Sequence, residues 1–395
     1  MKKCVLGEFA DLIPGVSYTP DGIASSGVRI LRGGNIRSSE LQLKEDDVIL
    51  SEDYQCKDNE VHEGDTIVVA SSGSADAFGK AATSWVDLPG VQIGAFLRIV
   101  RPKKREYAAL VSAWVTQPIF QRYIGSVAKG TGINNIRKEY IEEYPISVDD
   151  SSLKQFSELY ESICKKIALN RKRIATLEAM AKEIYDYWFV QFDFPDAHGR
   201  PYKSSGGAMV YNPDLKREIP KGWEVVHIGD VLDRHILNTN KIPAKAYGQL
   251  GAYPIIDQSE KFIAGYTDDK NAILDYPFCT VFGDHSCELK AVNFPFARGA
   301  DGTQIVVSAD TNVPNVQLYF ALRMMDFGGG YKRHFVLLKD SLIVKDAIGV
   351  VAPRFEKVEE TIFDGIKHCR FENLKLIGLR DFLLPLLMNG QVRVG

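Results

Sequence analysis

From Leu153 to Trp188, residues that suit a buried seam recur in unbroken steps of three and four: Leu153, Phe156, Tyr160, Ile163, Ile167, Asn170, Ile174, Leu177, Ala181, Ile184 and Trp188. That alternation marks a coiled-coil helix, which needs a second helix to cover it. At 1.5 Å per residue the stretch would make a rod of about 54 Å. Residues Asp149 to Ser152 supply N-cap candidates. A second, less regular seam runs Glu359, Ile362, Ile366, Cys369, Asn373, Leu376, Arg380 and Leu383, with Phe355 one turn earlier and Gly365, Gly378 and Pro385 interrupting it. Each seam carries one asparagine. Asn170 falls at a d position and Asn373 at an a position, and antiparallel pairs stack a against d′. Aligning the two places 188 opposite 355 and 153 opposite 390. A buried asparagine weakens a coil but fixes its register. The spacing therefore predicts one antiparallel coiled coil.

The rest of the chain is written twice. VLGEFAD (5–11) matches HIGDVLD (227–233) in type at Leu6/Ile228, Gly7/Gly229, Glu8/Asp230 and Asp11/Asp233. GVRILRGGNI (27–36) corresponds to AYPIIDQSEK (252–261), each an apolar strand running into a polar turn. DTIVVASSG (65–73) parallels FCTVFGDHS (278–286), and both lead to a lysine before small residues, Lys80-Ala81-Ala82 and Lys290-Ala291-Val292. Each half then carries a helix, expected at 106–124 and 314–326, and ends in a long helical pattern. The order of matches predicts a duplication of roughly 200 residues. Residues 191–220, with Pro195, Gly199, Pro201, Gly206, Gly207, Pro213 and Pro220 among them, read as a connector rich in turns. The expected fold is α+β: two similar mixed α/β domains (1–149 and 221–350) and two long helices (150–190 and 351–395) forming the antiparallel coil. A chain of 395 residues has room for two or three such bodies.

Composition excludes several classes. Hydrophobic residues at 45% and charged residues at 25% are globular values. No apolar run approaches the roughly 18 residues of a membrane helix, and Glu8 and Asp11 interrupt what would be a signal core. Six cysteines without a CxxC pair read as reduced thiols in a cytoplasmic protein. The net charge of −3 advertises no global attraction to nucleic acid, although phosphate contact needs only a local basic surface.

Catalytic constellations are missing. GSADAFGKA (73–81) resembles a phosphate loop, but it has five residues between its glycines and alanine after the lysine, where the motif needs four and a Ser/Thr. No GxSxG, HExxH or EF-hand loop occurs, and no metal set is expected. Asp284 and His285, in FGDHSC, form the one acid/base pairing worth weighing, without an accompanying nucleophile. An enzyme using the Gly73–Lys80 or Asp284–His285 loops is thus one alternative, and a coiled-coil scaffold another.

What the sequence offers instead is polar loops beside strand ends, in duplicate. Arginine suits guanine, asparagine and glutamine suit adenine, and Ser/Thr serve either. The first half presents Arg32, Asn35, Arg37, Ser71, Ser72, Lys80, Lys129, Thr131, Asn134, Asn135 and Arg137; the second presents Asp257, Gln258, Ser259, Asp284, His285, Lys290, Arg298, Arg333 and His334. The basic runs RPKKR (101–105) and KKIALNRKR (165–173) are candidate phosphate contacts.

Several strings resemble the specificity subunit of type I restriction–modification systems. IPKGWEVVHIGDV (219–231) resembles the start of its second target-recognition domain, and GTGINNIRKEYIEEYPI (130–146) the end of its first. YPIIDQS with FGDHS and the following lysine resembles a common recognition-domain type. LEAMAKEIYDYWFVQFDF (177–194) and LRDFLLPLLMNGQVRV (379–394) resemble the ends of its central and distal helical regions. The resemblance implies a non-catalytic reader of double-stranded DNA whose two target-recognition domains contact the halves of a split target. It also implies partner subunits: methyltransferase (modification) subunits and a translocase-nuclease (restriction) subunit. Those partners would carry S-adenosylmethionine, ATP and magnesium, with no cofactor bound by this chain.

Overall fold

The computed structural model describes residues 2–37, 40–44, 46–73, 77–128, 136–148, 153–233, 240–300, 302–325 and 334–388. They form two compact units, Met1–Arg171 with Glu372–Gly395, and Lys172–Phe371. The division falls inside the two long helices, Leu153–Tyr185 and Val351–Met388, so each helix contributes to both units. The expected caps at 149–152 lie outside the described residues.

The first unit is built on two four-stranded sheets. One has the order Val48–Leu50, Ile23–Leu31, Leu88–Ile93, Glu60–Val61; the other Ala10–Pro14, Leu97–Pro102, Thr66–Val69, Ala81–Thr83. Ile23–Leu31 and Leu88–Ile93 run parallel, and the remaining pairings are antiparallel. Thr66–Val69 is buried throughout, as a strand covered on both faces must be. Its Ile67 and Val69 join Leu31, Ile93, Leu97 and Ile99 in one core, while Val68 faces the helices with Val111, Phe120 and Ile124. A ribbon of Lys2–Val5 with Pro145–Val148 closes the unit immediately before the first long helix. The expected helix 106–124 is two helices, Ala108–Val115 and Pro118–Val127. Pro118 has no N–H to continue the first and starts the second.

The second unit repeats this plan. Glu224–His227 pairs with Leu342–Lys345, as Lys2–Val5 does with Pro145–Val148. Tyr253–Ile256 runs parallel to Phe296–Arg298, and Cys279–Gly283 lies between Leu289–Val292 and Thr303–Val306. The matched strings occupy matched strands, Thr66–Val69 beside Ala81–Thr83 and Cys279–Gly283 beside Leu289–Val292, but not in the register of the strings: Val68 packs towards the helices while Val281 packs with Ile256 and Phe296. Even a turn recurs. Leu6 N donates to Tyr144 O at 3.0 Å and Ile228 N to Ser341 O at 2.9 Å. Beside them, a Cβ on Gly7 would come within 3.1 Å of Glu142, and one on Gly229 within 3.0 Å of Lys339. Glycine at both places follows from that approach.

The long helices touch within each unit, in antiparallel order. In the first, Phe156, Tyr160 and Cys164 pack with Leu383 and Leu384, and Asn170 Nδ2 donates to Asn373 Oδ1 at 3.0 Å. In the second, the Phe355 ring lies 5.7 Å from Trp188 and 4.8 Å from Phe189. Leu177 fits where a Cβ on Gly365 would be, 3.2 Å away, which explains a glycine inside a helix. One detail departs from the expected seam: beyond Asn373 the fully buried position is Leu384, with Leu383 half-buried. Glu359 is wholly buried, as a seam position should be, although it is a carboxylate. Residues 191–220 are more than turns. Phe192 and Phe194 enter the core with Trp223, and Met209–Asn212 pairs with Arg217–Pro220 as a hairpin.

Candidate nucleic-acid interface

In the first unit five segments converge at one end of the paired sheets. Leu31 ends its strand and Arg32 opens the turn Gly33–Asn35. Gly94 N donates to Leu31 O at 2.8 Å, so the turn after Leu88–Ile93 lies against the Arg32 backbone. Phe96 O accepts from Ala70 N at 2.8 Å and Ser71 N at 3.0 Å, and Lys80 O accepts from Val69 N at 2.8 Å. Ile136 N donates to Ala70 O at 2.8 Å, bringing Arg137 to the same edge. Segments 32–37, 70–72, 77–80, 94–97 and 136–137 therefore form one platform, its backbone fixed by hydrogen bonds rather than left loose.

Asp47 anchors that platform from below. Its carboxylate accepts from Asn35 Nδ2 at 2.6 Å, Lys44 N at 2.8 Å and Arg29 Nη1 at 3.1 Å. Burial alone would raise its pKa, but these bonds outweigh burial and hold the carboxyl below its ordinary value. Asn35 is spent on the same task. Its amide also donates to Gln42 O and its oxygen accepts from Arg32 N, which uses both donors and the acceptor.

The second unit gathers the equivalent segments. Gly299 N donates to Ile256 O at 2.8 Å, as Gly94 does to Leu31. Asp284 N donates to Gly302 O at 2.8 Å, in the place of Ala70 to Phe96. The Asp284 carboxylate accepts from Phe335 N at 2.9 Å and so holds the start of His334–Asp340. Lys290, 5% exposed, donates to Asp257 O at 2.8 Å and Lys261 O at 2.5 Å, fixing the turn after Tyr253–Ile256. Burial lowers its pKa, and Asp257 opposes the shift in part. Asp257 accepts from Ser259 N and from Tyr247 OH, whose oxygen in turn accepts from Ala300 N at 2.8 Å.

These geometries divide the predicted residues. Arg32, Arg37, Lys80, Arg137, Ser259 and His285 are exposed, and Ser71, Ser72, Asp257 and Gln258 are half-buried at the same edges. Five expectations need correction, because burial removes the side chain from a DNA-facing surface. Asn35, Asp284 and Lys290 are consumed by the loops just described. Arg298, 2% exposed, donates to Thr303 O at 2.6 Å and Gln304 Oε1 at 3.1 Å; His334 is 2% exposed. They shape the platforms rather than face outward. Lys129, Thr131, Asn134, Asn135 and Arg333 lie outside the described residues. The supposed acid/base pair is split by depth, with Asp284 buried and His285 exposed.

Sequence reasoning missed Phe96, 68% exposed in the middle of the first platform. The signal was Gly94, which breaks a strand pattern and starts a turn there. It also missed Asp47 and Tyr247, whose supporting roles depend on partners distant in sequence, Asn35 and Arg29 for the first and Ala300 for the second. Among the described residues no helix is long and apolar enough to cross a membrane, and none of the six cysteines forms a disulfide.

No family model matches the chain. In sequence it is 23% identical over 308 residues to the Type I restriction enzyme MjaIX specificity subunit of Methanocaldococcus jannaschii, a match covering 69% of this chain and 66% of that protein. Among solved structures it is similar to the S subunit of a type I restriction–modification system from M. genitalium, with a TM-score of 0.57 at 13% identity, covering 98% of this chain and 95% of that one. It therefore shares that subunit's fold. The HsdS subunit from Thermoanaerobacter tengcongensis matches at a TM-score of 0.33 and 13% identity.

Proposed function

We propose that this chain is the specificity subunit of a type I restriction–modification complex, the part that reads DNA sequence and performs no chemistry itself. The observation that carries this reading is the duplicated platform. Two units of similar topology, the second with one strand fewer in one sheet, each present a hydrogen-bonded edge of polar loops, Arg32, Lys80 and Arg137 in one, Gln258, Ser259 and His285 in the other. A split target of two short half-sites is what two such edges would read, by base-edge hydrogen bonds in the groove and by phosphate contacts beside it.

The long helices complete the proposal. Their pairing at Asn170–Asn373 and at Trp188–Phe355 fits one antiparallel coiled coil spanning both units, which sets the separation of the half-sites. Methyltransferase subunits carrying S-adenosylmethionine are the proposed catalytic partners, joined by a restriction subunit that uses ATP and magnesium. Partners that share the phosphate contacts reconcile DNA binding with a net charge of −3. The enzyme alternative lacks support. The Asp284 carboxylate is committed to Phe335 N, and part of the 73–81 loop lies outside the described residues.

The test is co-expression of the chain with its methyltransferase subunit, followed by mapping of methylated adenines across a genome. A motif of two fixed blocks separated by unspecified bases is expected. Methylation at a continuous motif, or none that depends on this chain, would overturn the proposal.

A further inference from the structure

Phe96 stands out on the first platform because its side chain is exposed while the backbone around it is held. The turn 94–97 is closed by Leu97 N to Gly94 O at 2.9 Å and tied to the neighbouring strand by Gly94 N to Leu31 O. The Phe96 carbonyl accepts two amide hydrogens, from Ala70 and Ser71. Arg98 Nη1 donates to Ala95 O at 2.9 Å and Leu97 O at 2.7 Å, covering the carbonyls on either side. A single exposed apolar residue on an ordinary surface is unremarkable. This ring, however, is presented by a turn with little freedom left, beside the exposed Arg32, whose Cγ lies 4.0 Å from where a Cβ on Gly94 would be. A rigid aromatic contact loses little entropy when it is covered, which is the property of a recognition residue rather than a solvated one.

The second unit supplies a comparison within the same chain. The carbonyl that takes the place of Phe96 O, accepting from Asp284 N, belongs to Gly302, at φ +84°. The repeated scaffold keeps the hydrogen bond and discards the side chain. Packing does not require a phenyl group at this place, and what it adds is confined to one of the two edges.

We infer that Phe96 reads a thymine in the half-site bound by the first unit, its ring packing on the C5-methyl group in the major groove. The inference rests on the DNA-reading role proposed above. Of the major-groove base edges only thymine presents a methyl, and an apolar side chain is the partner that distinguishes it. Arg32, whose Cγ approaches Gly94 at the start of the same turn, offers the donor that a neighbouring guanine requires.

The experiment uses the full chain in complex with its methyltransferase subunits and duplexes carrying the mapped target. Uracil replaces thymine, one position at a time, through both half-sites, removing only the methyl. The wild-type complex is expected to lose about fourfold in affinity at a thymine of one half-site, the factor corresponding to one buried methyl. Phe96→Ala should bind the thymine and uracil duplexes equally at that position, while Phe96→Leu retains part of the preference. Substitutions in the other half-site should be insensitive to residue 96. The inference is overturned if no thymine shows a methyl effect that depends on residue 96, or if neither half-site contains thymine. A split motif read identically by wild type and Phe96→Ala would remove this contact and leave the subunit's role intact; absence of a split motif would remove both.

Discussion

Asn170 donates to Asn373 at 3.0 Å, and Asn373 in turn donates to Ile167 O at 3.4 Å. Glu372 joins the layer, accepting from Asn170 at 2.7 Å and pairing with Lys166 at 3.1 Å. Both asparagines are buried, at 2% and 7% exposure, so neither can exchange its partner for water without opening the helix pair. A buried polar pair of this kind costs stability and penalises every other register.

Replacing one member should therefore do more harm than replacing both. Asn170→Ile leaves the buried Asn373 Oδ1 without its donor, at a cost of about 1–3 kcal/mol. Asn170→Ile with Asn373→Ile should recover that loss or exceed wild-type stability. Denaturant unfolding of the three variants checks it, and additive losses would contradict the pairing.

The chain offset that carries Asn170 to Asn373 also carries Phe156 to Glu359. Where the first unit buries a ring, the second buries a carboxyl whose pKa burial pushes up to about 8. The unfolded chain ionises this group near 4.5, so between that value and about 8 the folded state binds more protons. Wild-type stability should fall as pH rises through this window and level off above it. Glu359→Leu should abolish that component and be more stable at pH 8 by on the order of 4 kcal/mol. Unfolding free energies measured from pH 5 to pH 9 decide it; parallel profiles would contradict the buried, unpartnered carboxyl.

Asp47 titrates in the opposite sense. Its pKa is lowered in the fold, so its contribution is present above the ordinary carboxylate range and is lost as pH falls through the folded value. Asp47→Ala should cost about 1–3 kcal/mol at pH 7. The difference from wild type should shrink towards pH 2. In methylation mapping the same variant should degrade the first half-site while the second keeps its sequence, since the Arg32 turn rests on this carboxylate.

Exposed cations on the first platform should separate by role. Lys80→Ala should weaken binding to all sequences alike and reduce the slope of log K against log salt by about one phosphate contact. Arg32→Ala should relax the preference at one base pair of one half-site, at roughly 1–3 kcal/mol. Equilibrium binding across a salt series, on matched and mismatched duplexes, distinguishes the two.

Much of this architecture was legible in the sequence because it is periodic or repeated. Steps of three and four mark the long helices, and matched strings mark the duplicated strands. The finer residue assignments were not legible, for a physical reason. Arg298, Lys290 and Asn35 carry groups suited to base edges, and sequence cannot tell a loop that faces water from one folded over its own neighbours. Lys80 and Lys290 make the point together. The sequence strings align them, yet Lys80 precedes its strand and is exposed, while Lys290 lies within Leu289–Val292 and is buried, donating to two carbonyls.

The most direct test of the reading as a whole is a paired deletion that keeps the helix register. Removing residues 171–177 together with 366–372 takes one heptad from each helix and leaves Asn170 opposite Asn373. At 1.5 Å per residue this shortens the coil by about 10 Å, equivalent to about three base pairs. Methylation mapping should then return both half-sites unchanged with a shorter unspecified spacer between them. Altered half-sites with the original spacer would contradict a helical pair that sets the distance between two independent readers.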